Sequence, residues 1–170
     1  MSPVRRIRVA ANGGIPNHPR WPALLHARAF APEAAEALLR RHGWGGIWRW
    51  GVFDYHHFHP DAHEALLCVA GSARLRIGGE AGEDLDVVPG DALVLPAGFG
   101  HRCLESRPGF AVLGAYPPGQ ESPSVERAAA DAGRRFGARI AALPCPERDP
   151  VTGGPMSETW PDTVADPPRK

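Results

Sequence analysis

"GVFDYHHFHPDAHE", residues 51–64, places four of the chain's eight histidines within eight positions. In a β-strand, residues two apart share a face, with Cα atoms about 6.5–7 Å apart. His57 and His59 then project side by side, while His56 and Phe58 point the other way. "PDA" at 60–62 reads as a turn that reverses the chain and lets Glu64 open the next strand, bringing a carboxylate beside the pair. A helix competes for the same residues. "PDAHEALLCVAG" has proline at its first position, an acid in the first turn and glycine past its end. His63, Leu66, Leu67 and Ala70 then share one helical face, and His59 pairs with His63 without the HExxH order of a zinc helix. Local propensity does not separate the two.

A second stretch does. His101 follows "PAGFG", whose glycines let the backbone bend and aim a side chain into a cavity, so it is the candidate fourth ligand. The first stretch runs Gly51, five residues, His57-Phe58-His59, four residues, Glu64, six residues, Gly71. The second runs Gly90, five residues, Pro96-Ala97-Gly98, two residues, His101. These halves resemble the two signature motifs of the cupin superfamily. A helix over 60–70 leaves the Gly90-to-His101 pattern unexplained, so strands are expected. The second half departs at its end, where Glu105 stands in a place often taken by asparagine; that position is usually not a ligand. The resemblance implies metal ligands His57, His59, Glu64 and His101, on a small jelly-roll β-barrel. "GGIPNHP", "VLGAYPPGQ" and "DPVTGGP" extend the likeness over most of the chain, to the uncharacterised bacterial YjlB-like cupins.

The remaining sequence agrees with an all-β class carrying peripheral helices near both ends. Twenty glycines and nineteen prolines are spread along the chain, as suits short strands and tight turns. "ARLRIGGE", "DLDVVPGDALVLPAG" and "FAVLGAYPPG" read as strands closed by turns. "ALLHARAF" reads as a strand or a short extended piece. "APEAAEALLRRHG", residues 31–43, is the clearest helix, and "SPSVERAAADAGRRFGARIAAL", residues 122–143, predicts another, weakened by Gly133 and Gly137. One domain spans 1–170: an N-terminal extension with one helix to 45, a jelly-roll core over 46–118, then a helix and an irregular tail from 119. Trp160 is the expected anchor of that tail, with disorder beyond it.

Nineteen basic residues balance nineteen acidic ones, so no net field draws nucleic acid or an anionic membrane; Lys170 is the only lysine. "RRIR", Arg5 to Arg8, reads as a solvated terminus. No apolar run of about 20 residues and no leader pattern occur, and Cys68, Cys103 and Cys145 form no disulfide framework or CxxC. A cytoplasmic location is the expectation.

Three imidazoles and a carboxylate suit one divalent transition metal per chain, Fe, Mn, Ni or Zn, without choosing among them. Glu64 and Tyr55 are the catalytic candidates. Glu64 combines ligand and proton acceptor. Tyr55 shares the face of His57 and His59, and either touches substrate, orients a ligand or simply packs. His56 and His63 are expected outward or in support of ligands. His18, His26 and His42 are surface or packing residues. Cys68 and Cys103 follow the ligands inward and are expected in the core. Trp44, Trp48 and Trp50 roof the cavity or pack in the core or an interface. Phe53, Leu66, Leu93, Leu95 and Phe110 are the expected apolar surroundings.

The first functional expectation is a metal-dependent, dioxygenase-like oxidoreductase acting on a small oxygenated molecule. A redox-neutral isomerase, epimerase or decarboxylase and a non-catalytic small-ligand carrier are the alternatives. Partners are expected to be a small molecule and, from exposed strand edges and family resemblance, a second copy in a homodimer, with no nucleic acid and no membrane.

Overall fold

The computed structural model describes residues 3–162. In chain order its elements are β1 (Arg5–Ile7), β2 (Ala23–His26), α1 (Ala35–Arg41), β3 (Gly45–Trp50), β4 (His57–Phe58), β5 (Glu64–Ala70) and β6 (Ala73–Ile77). They continue with β7 (Glu83–Val87), β8 (Ala92–Leu95), β9 (His101–Ser106), β10 (Ala111–Tyr116), β11 (Glu126–Arg127) and α2 (Ala132–Ala142). The strands form two antiparallel sheets, ordered β1-β2-β8-β5-β10-β3 and β11-β4-β9-β6-β7. The protein is mostly β, with few helices, as the sequence led us to expect.

Each sheet follows from its sequence pattern. β6 and β7 alternate, with Leu75, Ile77, Leu85 and Val87 buried and charged residues outside. Arg74 faces Asp86 and Arg76 faces Asp84 across the ladder, which helps hold the register. β5 does not alternate. Leu66 and Cys68 enter the core between the sheets with Leu75, Leu93, Leu95 and Val112. Ala65 and Leu67 face the other way, into a second cluster with Trp21, Leu39, Trp44, Val151 and Trp160. α1 and the C-terminal segment thus cover the outer face of the six-stranded sheet. A strand buried on both faces reads as a continuous apolar run, and this is why residues 64–70 mimic a helix. Each such leucine stabilises the fold by about 1.5–3 kcal/mol.

Several expectations change. The second helix starts only at Ala132. Pro123 and the β-branched Val125 disfavour helix before it, and Glu126–Arg127 instead pair with β4, which is only two residues long. α2 then packs Ala132 and Phe136 against Phe58 and Ile15. The arginine-rich start is partly ordered: β1 pairs with β2 and buries Ile7. Trp160 anchors the tail, stacked on Trp21 with ring centroids 5.4 Å apart and donating its indole N–H to the Pro22 carbonyl at 2.9 Å. The disorder expected beyond it concerns residues 163–170, outside the described residues. Among the described residues no helix is long and apolar enough to cross a membrane.

Candidate metal centre

Two sheets meet at the site. β4 carries His57, paired directly opposite His101 at the start of β9, with ring centroids 4.0 Å apart. His59 follows just past β4. Glu64, the first residue of β5, comes from the other sheet, opposite Leu95. Its Oε2 lies 3.1 Å from His59 Nε2 and its Oε1 3.1 Å from His101 Nε2. Donor atoms of His59, Glu64 and His101 all lie within 4.8 Å of one another. His57 stands beside them, its ring centroid 6.2 Å from that of His59. All four residues are buried.

Backbone carbonyls set the ring orientations. The Nδ1–H of His57 donates to the Tyr55 carbonyl at 2.9 Å, that of His59 to Ser124 at 2.7 Å, and that of His101 to Phe99 at 3.2 Å. The Nε2 atoms of His59 and His101 are left to face Glu64, the arrangement metal-binding histidines use. Asp61, in the expected "PDA" turn, accepts from the Ser124 backbone N–H and so steadies the carbonyl that orients His59. The two motif halves are also tied together. The Gly98 N–H donates to the His59 carbonyl at 2.8 Å, with Gly98 at φ 83°, a left-handed conformation that favours glycine. His63 supports the same loop. Its Nδ1 accepts from the Ala97 N–H at 2.9 Å, and its Nε2 donates to the Pro144 carbonyl at 3.0 Å.

The chemistry of this donor set fits a cation. Imidazole nitrogens and carboxylate oxygens 3.1 Å apart need a proton or a metal between them. That separation equals the edge of an octahedron with bonds of about 2.2 Å. Glu64 Oε1 is buried and has no partner in good hydrogen-bond geometry, His101 Nε2 being 3.1 Å away, a position an ion would satisfy.

Without metal, protons take that place. Burial pulls the His59 imidazolium down, but the Glu64 charge and hydrogen bond outweigh it and raise its pKa from 6.5 to about 9. Burial pushes Glu64 up, yet the His59 charge and the His101 ring hold it well below the carboxylate range. Burial and the neighbouring His101 lower His57 to about 3, so it stays neutral. The His59 contribution to stability is complete below 6.5 and lost as pH rises through about 9; the Glu64 contribution is present above 4.5 and lost as pH falls. Metal-free protein is therefore most stable between those unperturbed values. Thermal unfolding in chelator from pH 5 to 10 is expected to show the melting temperature falling between pH 7 and 9.5. A flat profile there contradicts the buried pair.

The four residues line a cavity of about 230 Å³, walled otherwise by Trp48, Trp50, Val52, Phe53, Leu66 and Val125. Trp50 is largely exposed at its rim. Leu93, Leu95, Cys68 and Cys103 belong to the core between the sheets, with Phe110 packed against it. Trp44 is buried behind the outer face of the six-stranded sheet. His56 pairs with Glu80 at 2.9 Å, away from the ligands. His26 pairs with buried Asp149, His42 bonds the Pro150 carbonyl, and His18 accepts the Arg20 and Trp21 amides.

Tyr55 stacks on Phe53 with ring centroids 4.9 Å apart, beneath the Arg127 guanidinium. Its carbonyl orients His57, while its ring is not among the cavity-lining residues. The phenol in the cavity wall is Tyr116, which sequence reasoning missed. Its oxygen accepts from Trp48 Nε1 at 2.7 Å, and burial and the nearby Glu64 charge keep it protonated. All six residues of β10 are buried, so alternation gave no inward face. The only hint was a tyrosine at the end of a strand, before Pro117 and Pro118.

The profile of the Cupin family matches residues 55–127. "Uncharacterized protein YjlB" of Bacillus subtilis (strain 168) is 38% identical over 152 residues, covering 88% of this chain and 92% of YjlB. Among solved structures, acireductone dioxygenase from Bacillus anthracis superposes with TM-score 0.39 and 18% identity, over 54% of this chain and 62% of that one. Oxalate decarboxylase from Lactobacillus farciminis does so with TM-score 0.36 and 21% identity, over 48% and 25%. Superpositions this loose say nothing about chemistry. The matched profile ends at β11, which seats His57, and the YjlB likeness runs through the flanking segments as well: the chain belongs to the cupin family.

Proposed function

We propose that the protein is a metal-dependent, dioxygenase-like enzyme acting on a small oxygenated molecule. One observation carries this: His59, Glu64 and His101 bring their donor atoms within 4.8 Å of one another in the wall of a small, largely apolar cavity that His57 also lines. The donor set suits one iron, manganese, nickel or zinc ion per chain. When bound, such an ion supplies a Lewis acid and, as iron or manganese, electrons for dioxygen. The chain's own residues do the rest. Carbonyl-held rings keep the ligands in place, and the aromatic walls exclude water. Glu64 is the carboxylate beside which a substrate proton can be accepted. Among the described residues no lysine or arginine lines the cavity, so a phosphorylated substrate finds no counter-charge from them. A sugar finds few hydrogen-bond partners there. Both points favour a small enol, diol or related molecule.

A redox-neutral reading rests on Tyr116, a protonated acid beside Glu64. Oxygen uptake separates the two. Untagged protein loaded with iron is expected to consume oxygen with at least one member of a panel of small diols, enols and thiols. No uptake with iron fully loaded removes the oxygenase reading. Turnover of zinc-loaded protein under argon supports isomerase or decarboxylase chemistry instead, and tight binding without turnover supports a carrier.

A further inference from the structure

We propose that Asn17, in the "GGIPNHP" stretch at residues 13–19, is a positioning residue for the metal ligand His101, acting through the one peptide unit that joins Phe99 to Gly100. This rests on the metal-dependent reading above. The His101 Nδ1–H donates to the Phe99 carbonyl at 3.2 Å. That carbonyl shares its peptide plane with the Gly100 N–H, which donates to Asn17 Oδ1 at 3.1 Å. A chain of bonds therefore runs from the Asn17 amide through one rigid plane to the His101 ring, whose Nε2 lies 3.1 Å from Glu64 Oε1. Rotation of that plane carries the carbonyl away from the ring it orients. The aligned bonds also polarise one another, which makes the held carbonyl a better acceptor and Nε2 a better donor to an ion.

Asn17 is built into this place. It is only 2% exposed. Its Nδ2 donates to the Ala10 carbonyl at 3.1 Å and to the Gly78 carbonyl at 3.0 Å, which fixes the end of the amide that faces Gly100. The Gly78 N–H in turn donates to the Gly100 carbonyl at 2.7 Å, so both polar groups of Gly100 are held. The Asn17 backbone sits at φ 53°, a left-handed conformation that asparagine tolerates better than most residues. Its carbonyl lies against Gly98, where a Cβ would come within 2.8 Å of the oxygen. A Cβ at Gly100 would come within 2.6 Å of the Ile15 side chain. The bend that leads to His101 is thus moulded onto residues 15–17.

A second asparagine separates holding the N-terminal segment from holding the ligand. Asn12 makes the same two donations, to Ala10 at 2.9 Å and to Gly78 at 2.7 Å. Its Oδ1 accepts instead from the Ala81 N–H at 2.8 Å, in the turn between β6 and β7. None of these three bonds reaches the loop before His101. Asn12 and Asn17 therefore share one structural duty and differ in the bond to Gly100.

Metal binding tests this without turnover. Zinc affinity is read by competition with a chromophoric chelator, and cobalt(II) in place of zinc reports ligand geometry through its visible bands. Asn17→Gly removes the side chain and suits the left-handed backbone. It is expected to bind zinc about tenfold more weakly, the low end of the loss for a group that supports a ligand, and to shift the cobalt bands. Asn12→Ala is expected to lower the melting temperature and leave zinc affinity and cobalt bands unchanged. Asn17→Asp keeps an acceptor for Gly100 and loses both donors; it is expected to be less stable and to retain the wild-type cobalt bands. Wild-type affinity and bands in Asn17→Gly overturn the proposal, as do equal metal effects in Asn12→Ala and Asn17→Gly. Amide exchange of the unmodified protein decides the matter even if Asn17→Gly does not fold. Coupling is reciprocal, so zinc is expected to slow exchange at Gly100 more than at Ala81, and equal slowing overturns the proposal. Each of these failures leaves the metal reading standing, whereas a wild type that binds neither zinc nor cobalt overturns both.

Discussion

Glu64→Gln is expected to leave the protein folded but unable to hold its metal. The substitution is nearly isosteric at a side chain only 2% exposed, so the packing around it survives. Its chemistry does not. The carboxylate faces Nε2 of both His59 and His101 at 3.1 Å, and an amide presents an N–H to one of them and carries no charge. Metal affinity is expected to fall by more than the 10–100-fold typical of losing a group that merely supports a ligand, that is, by at least about 100-fold. His59→Ala removes a donor from the same cluster and has the same consequence. Metal analysis of untagged protein after dialysis gives the answer. Full metal content in both variants removes the ligand assignment. A second readout comes from the metal-free state: without the carboxylate, His59 loses the partner that raises its pKa, and the alkaline loss of stability disappears.

Trp160→Ala is expected to cost about 3–5 kcal/mol, the range for emptying a buried aromatic site. Trp160 has no exposed surface, stacks on Trp21 and spends its N–H on the Pro22 carbonyl. It also lies against the His63 ring, with centroids 5.2 Å apart. His63 holds the Ala97 N–H in the loop that leads to His101. The variant is therefore expected to unfold at a clearly lower denaturant concentration and to bind metal less than about tenfold more weakly, the signature of a support rather than a ligand. An unchanged denaturant midpoint means that the C-terminal segment lies outside the cooperative unit. An unchanged midpoint with strong metal loss contradicts the packing role itself.

Both predictions depend on residues whose legibility in the sequence differed. The spacing of His57 and His59 is a local matter: a period of two puts both on one face wherever a strand forms. The long-range partners, Glu64 and His101, were reached through the likeness of both stretches to cupin motifs. Trp160 stood out as a large aromatic residue in a tail too rich in proline and glycine to fold by itself. Residues 122–131 misled because a weak helical pattern carried no sign that two-residue β4 needed an edge partner there. Tyr116 was hidden for a related reason. Its strand is buried throughout, so neither face was marked as inward, whereas Tyr55 drew notice by sitting beside the histidines.

Sequence alone determined the strand period around the histidines, the turns that follow them and the donor types able to meet an ion, because each depends on residues near one another in the chain. The tertiary structure decided which phenol lines the cavity, that the strand expected over 64–70 is buried on both faces, and where the second helix begins. Those depend on which surfaces the two sheets and the C-terminal segment cover, and burial on both faces erases the alternation that would have announced it.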